Sequence, residues 1–144
     1  GCSAPTPFMT LQTIANLFQV LAAGIQPELK RVFNAMSSFP EMVGGTGHFD
    51  SLFIDSLNKR GVTKVGGESI RGISLKTEEH GPIGIAIKVL DGNFRALPIA
   101  TMKLLEHMQL LNEHELNKLD KFRTKILTNH NGIETGRIEA YIDF

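Results

Sequence analysis

A lysine followed by two glycines, with a glycine-rich loop upstream, marks where this chain could do chemistry. Lys64-Val65-Gly66-Gly67-Glu68 places an amine and two glycines in an apparent β-strand, and Gly44-Gly45-Thr46-Gly47 precedes it. The arrangement lets a substrate approach bare backbone beside a cation. An amine such as that of Lys64 can manage the proton of a hydroxyl nucleophile or fix a substrate carboxylate. Gly66 and Gly67 leave room for a ligand against the strand edge. The upstream loop can form an anion-binding nest with Thr46 as a hydroxyl donor. It lacks the Gly-Lys-Ser/Thr ending of a phosphate loop, so nucleotide binding is poorly supported. Each feature also has a plainer reading: a solvated lysine before a β-bulge, and a connector between helices.

Other candidates carry less. Ser56-Leu57-Asn58-Lys59 matches Ser-x-x-Lys, which on a helix puts hydroxyl and amine on one face. It falls at a predicted helix end, beside Arg60 and Gly61, where basic residues commonly complement the helix dipole. Cys2 can act as a soft-metal ligand or a nucleophile, but there is no second cysteine to join it. The five histidines are scattered, with no His-x-x-x-His pair for zinc. Asp91-Gly92 reads as a turn, and Arg95 as a surface or capping charge.

The elements that must position these residues follow from periodicity. Thr10 caps a helix striped with Ile14, Leu17, Phe18 and Leu21, and Gly24 ends it. Pro27 opens a second helix that runs to about Ser38 and stops at Pro40. Asp50 is expected to cap a third helix, closed by Gly61. The period then turns extended over Thr63–Leu75 and Ile83–Leu90, with Glu78-Glu79-His80-Gly81 as the hairpin loop. A helix returns over Leu97–Leu110, with Ile99, Met102, Leu105 and Met108 facing the core. Asn112–Phe122 is a short polar helix, Asn129–Gly132 a turn, and Arg137–Phe144 a last strand able to extend the sheet. The class is α+β: an antiparallel sheet covered by helices, on one face in this reading.

Composition narrows the function. The 144 residues suit one domain, and fifteen basic side chains balance fifteen acidic ones. No basic face is implied, so nucleic acid is not an expected partner. No polybasic run suits a membrane surface, and no apolar stretch is long enough to span one. With one cysteine, a reducing cytoplasm is the expected location. The Gly1-Cys2 start resembles a lipid-attachment site, but Pro5 stands where a myristoylation signal needs Ser or Thr.

In order along the chain, several segments resemble the C-terminal part of the L-asparaginase II family, of the thermolabile, rhizobial type. They are Gly1-Cys2-Ser3-Ala4-Pro5, Arg31-Val32-Phe33-Asn34-Ala35-Met36 with Pro40, and Val43-Gly44-Gly45-Thr46-Gly47-His48-Phe49-Asp50. Then come Lys64-Val65-Gly66-Gly67-Glu68, Gly84-Ile85-Ala86-Ile87-Lys88 with Asp91-Gly92, Arg95-Ala96, Asn131-Gly132 and Gly136-Arg137-Ile138. The resemblance implies a fold similar to serine β-lactamases and serine-dependent glutaminases. Lys64-Val65-Gly66 would then match the Lys-Thr/Ser-Gly box of the strand lining the active site, with Val65 at the hydroxyl position. It implies hydrolysis of L-asparagine to aspartate and ammonia by a serine on a Ser-x-x-Lys helix, which would lie before Gly1. Lys64 is the catalytic residue expected here, and Gly45, Thr46, Gly66, Gly67 and Glu68 are the expected substrate-binding positions. Cys2 resembles a family cysteine that can ligate zinc, with partners upstream; no cofactor is otherwise required.

On this reading the 144 residues form a single domain, the C-terminal part of a larger catalytic one, and are inactive alone. Such a part is expected to associate with itself or with its N-terminal portion. Two alternatives stay open. One is an inactive amino-acid-binding or interaction module of the same fold, distinguished by the absence of an in-frame upstream Ser-x-x-Lys. The other is an acyl enzyme using Ser56, distinguished by labelling with a penicillin or fluorophosphonate.

Overall fold

The computed structural model describes residues 3–143. Helix α1 spans Leu11–Ala23, with the Thr10 hydroxyl accepting from the Thr13 amide and Gly24 closing it in a left-handed conformation. Helix α2 spans Pro27–Ser38. Pro40 does end α2, but it also opens a short helix, α3 (Pro40–Gly44). The expected loop over 43–47 is therefore helical at its start, because proline suits a first helical turn. Helix α4 follows at Phe49–Ser56.

The strands are β1 (Gly61–Gly66), β2 (Ile70–Thr77) and β3 (Gly81–Lys88), antiparallel in the order β1-β2-β3. The extended run Thr63–Leu75 is thus two strands joined by a tight turn. Glu68 and Ser69 both take positive φ there, at 57° and 53°, as the mirror-image hairpin turns demand. Gly61 does not close the preceding helix; it is the first residue of β1. Asn58 and Lys59, at φ 44° and 67°, turn the chain instead.

Helices cover the sheet on both faces, not one. The faces follow from strand parity. Gly72 and Gly84 meet α1: a Cβ on Gly72 would enter the Phe18 ring, and one on Gly84 would strike the Ala15 carbonyl oxygen and the Gln19 amide nitrogen. The Ser74 hydroxyl donates to the Phe18 carbonyl at 2.5 Å on the same side. Ile73, Leu75 and Ile85 lie on the other face. They form the main core with Phe49, Phe53 and Leu57 of the α4 segment and with Met102 and Leu105 of helix α5 (Leu97–His107). Met108, expected in that core, is 43 % exposed because the helix has ended by then.

Gly84→Ala is expected to destabilise the chain by about 1–3 kcal/mol, since the obstructing atoms are backbone and cannot rotate away. A urea midpoint equal to that of the parent would contradict the seating of α1 on β3.

Helix α6 (Glu113–Lys118) starts with a capping box. The Asn112 side chain accepts from the Glu115 amide, and Glu115 accepts from the Asn112 amide, both at 2.9 Å. A 3₁₀ turn at Asp120–Phe122 follows and brings Phe122 edge-on to Phe49, with ring centres 4.9 Å apart. The chain then forms a separate hairpin of β4 (Lys125–Thr128) and β5 (Glu134–Ile138). The last strand therefore starts earlier than expected. It pairs with β4 and does not extend the main sheet. No described helix is long and apolar enough to cross a membrane.

Candidate active site

The site is built on the exposed edge of β1. Lys64 lies opposite Gly72, and its side chain is half exposed. Its Nζ donates to the Val65 carbonyl at 3.1 Å and stands 3.8 Å from Asp50 Oδ2. As an edge strand, β1 has backbone groups that no neighbouring strand takes up. One of these is the Val65 amide, which donates to Asp50 Oδ2 at 2.8 Å. Asp50 is therefore not the helix cap expected from sequence. His48 holds the cap position of α4 without a side-chain hydrogen bond, and Asp50 sits in the first turn, aimed at the sheet.

Its main partner is Arg71. Both residues are 2 % exposed, and Arg71 Nη1 donates to Asp50 Oδ1. The same nitrogen donates to Thr63 Oγ1 at 3.2 Å, and the guanidinium lies 4.1 Å from the Phe49 ring centre, a cation–π contact. Burial pulls the Arg71 guanidinium below its ordinary range, while the adjacent Asp50 carboxylate raises it. An arginine so paired keeps its charge.

A cavity of about 470 Å³ opens beside this cluster. Gly44, Gly47 and His48 contribute from the glycine-rich segment, Lys64 and Val65 from β1, and Arg71 from β2. Phe49, Phe94, Leu97, Pro98 and Phe122 supply an apolar wall. The lysine and the glycine segment, distant in sequence, thus share one pocket. Its lining contains no serine, threonine or cysteine among the described residues.

The other expected positions do not line this cavity. Gly45 has φ 85°, and its carbonyl accepts from the Ser51 hydroxyl at 2.7 Å, which pins the loop. Thr46 is exposed. Gly66 ends β1, where a Cβ would meet Ile70 Cγ2 at 2.7 Å, whereas Gly67 has nothing within 4 Å of where a Cβ would sit, so the chain is open at Gly67 and not at Gly66. Glu68 lies in the turn with its carboxylate against Gly92, while its carbonyl accepts from Lys88 Nζ.

Ser56 is buried, and its hydroxyl donates to the Phe53 carbonyl at 2.8 Å. Lys59 lies beyond the end of α4, so the Ser-x-x-Lys spacing puts nothing on a shared helical face. Cys2 lies outside the described residues. Among those described, no group of three or more His, Cys, Asp or Glu could hold a metal ion. A second cleft of about 480 Å³ lies near Lys103, Lys121 and Tyr141 and shares no lining residue with the cavity beside Lys64. Its Glu106 and Asp120 are already paired with Arg123.

Sequence reasoning missed Arg71 and the role of Asp50. Arg71 did leave a signal: it has the parity of the core residues Ile73 and Leu75, and a charge at a core-facing strand position needs a buried partner. Nothing in one sequence says that the partner is Asp50.

The fold is α+β, with a lysine at a sheet edge beside a glycine loop and an aromatic cavity. The family model described as L-asparaginase II matches residues 1–140. The chain belongs to the L-asparaginase II family, which carries an asparaginase-like function and implies a small-molecule substrate such as asparagine. No curated protein matches it.

Proposed function

We propose that this chain supplies the lysine-bearing wall of an amidohydrolase site that converts L-asparagine to L-aspartate and ammonia. The observation that carries the reading is the Lys64 amine at the mouth of the aromatic cavity, beside the buried Asp50–Arg71 pair. The nucleophile in this reading is a serine outside these 144 residues. Its hydroxyl attacks the side-chain amide carbon, ammonia leaves, and water then cleaves the acyl ester. Lys64 assists the proton transfers and holds positive potential where the oxyanion develops. Gly67 leaves backbone accessible to the substrate, and the Gly45-Thr46 loop borders it. The site carries two cations, Lys64 and Arg71, against one carboxylate, Asp50. With Arg71 paired to Asp50, Lys64 is the cation left in the lining to meet the α-carboxylate of asparagine.

The test is ammonia release from L-asparagine by this chain alone and by a longer protein that adds an upstream Ser-x-x-Lys segment. Activity in the longer protein alone is the expected result. Activity in the 144-residue chain would put the nucleophile inside it and overturn that part of the reading. Aspartate binding with no hydrolysis by either would favour an amino-acid-binding module.

A further inference from the structure

Asp50 is held through both of its carboxylate oxygens. Oδ1 accepts from Arg71, and Oδ2 accepts from the Val65 amide at 2.8 Å. Arg71 is itself fixed by Thr63 Oγ1 and by the Phe49 ring, and Thr63 Oγ1 in turn donates to the Gly72 carbonyl at 2.9 Å. The carboxylate is therefore tied to both β1 and β2 and cannot rotate independently of the sheet. A buried ion pair of this kind is commonly no more stabilising than apolar residues of the same volume. Its distinguishing feature here is what stands beside it: Lys64 Nζ, 3.8 Å from Oδ2.

Lys64 needs such a partner. Its flexible stem is half exposed, and a free lysine samples many rotamers. Its two anchors are the Val65 carbonyl and the Asp50 carboxylate. The other charged group facing it in the cavity wall is Arg71, which repels it and is neutralised by the same carboxylate.

We propose that Asp50 is a positioning residue for Lys64: its carboxylate, anchored through Oδ1 by Arg71, presents Oδ2 as the acceptor that sets where the Lys64 ammonium stands at the cavity mouth. The functional weight of this inference rests on the reading of Lys64 as the catalytic amine; the positioning itself does not.

Lysine side-chain NMR relaxation at Cε and Nζ tests it on this chain without an activity assay. Lys64 is expected to be clearly more ordered than Lys59, an exposed lysine past the end of α4. In Asp50→Asn its order should fall to that of Lys59, while the other lysines keep theirs. Should Asp50→Asn fail to fold, the same measurement applies to Asp50→Leu/Arg71→Met, which removes both buried charges. In the active, longer protein, Asp50→Asn should lower kcat by about 100-fold, the scale of a small misplacement of a catalytic group, with little change in KM. A Lys64 as mobile as Lys59 in the parent chain, or one unchanged in a folded charge-removed variant, overturns the proposal. If Lys64 is ordered and Asp50→Asn frees it, yet Lys64→Met keeps full activity, the positioning stands and the catalytic reading fails.

Discussion

Lys64→Met is expected to lower asparagine turnover by about 10²–10⁴-fold, the range associated with loss of a positioned acid–base group. Methionine keeps much of the unbranched bulk and removes the ammonium. The side chain is half exposed and lies at the open edge of β1 rather than in the core. Folding stability should therefore change little, which separates a chemical effect from a structural one. The measurement is ammonia release by a protein that adds the proposed upstream Ser-x-x-Lys segment, with urea unfolding of the 144-residue chain beside it. Turnover equal to that of the parent would remove Lys64 from the mechanism. A large loss of stability would instead mean that the lysine is structural.

The largest stability effect is expected at Arg71. Arg71→Met strands the Asp50 carboxylate, which is 2 % exposed, with only the Val65 amide and the half-exposed Lys64 left to it. Breaking a buried pair from one side typically costs about 3–5 kcal/mol, whereas replacing both partners with apolar residues is often neutral. Asp50→Leu/Arg71→Met should therefore recover most of what the single variant loses. Urea midpoints of the parent, single and double variants check this directly. A single variant within about 0.5 kcal/mol of the parent, as typical surface changes are, would mean that water reaches the pair. Recovery of stability in the double variant without recovery of activity would separate what the pair does for the fold from what it does for Lys64.

Much of the local architecture could be read from residue order. Thr10 and Gly24 bracket α1, Pro27 opens α2, and Glu78–His80 separates β2 from β3, with Gly81 already paired in β3, because caps, prolines and hairpin turns act between near neighbours. Where the reading failed, local signals competed. Pro40 ends one helix and begins another. Gly61 suits a helix end as well as a strand start, and here it belongs to β1. The Glu68-Ser69 turn lacks glycine at its left-handed positions, so two strands passed for one. Strand β4 was missed because Lys125-Ile126-Leu127-Thr128 is short and exposed on both sides, leaving no alternation to detect.

The candidate site divides in the same way. By itself, the sequence determined the lysine, its flanking glycines, the glycine loop and the family resemblance, since these are contiguous motifs. Only the tertiary structure decided that Asp50 turns away from capping α4 to meet Arg71 and the Val65 amide, 21 and 15 positions along the chain. It alone set Phe122 beside Phe49. The physical reason is common to both. A buried polar group must find a partner wherever packing brings one within reach, and an aromatic ring must fill the space it is given. Those choices are made between elements distant in sequence, when the sheet and its helices close on one another.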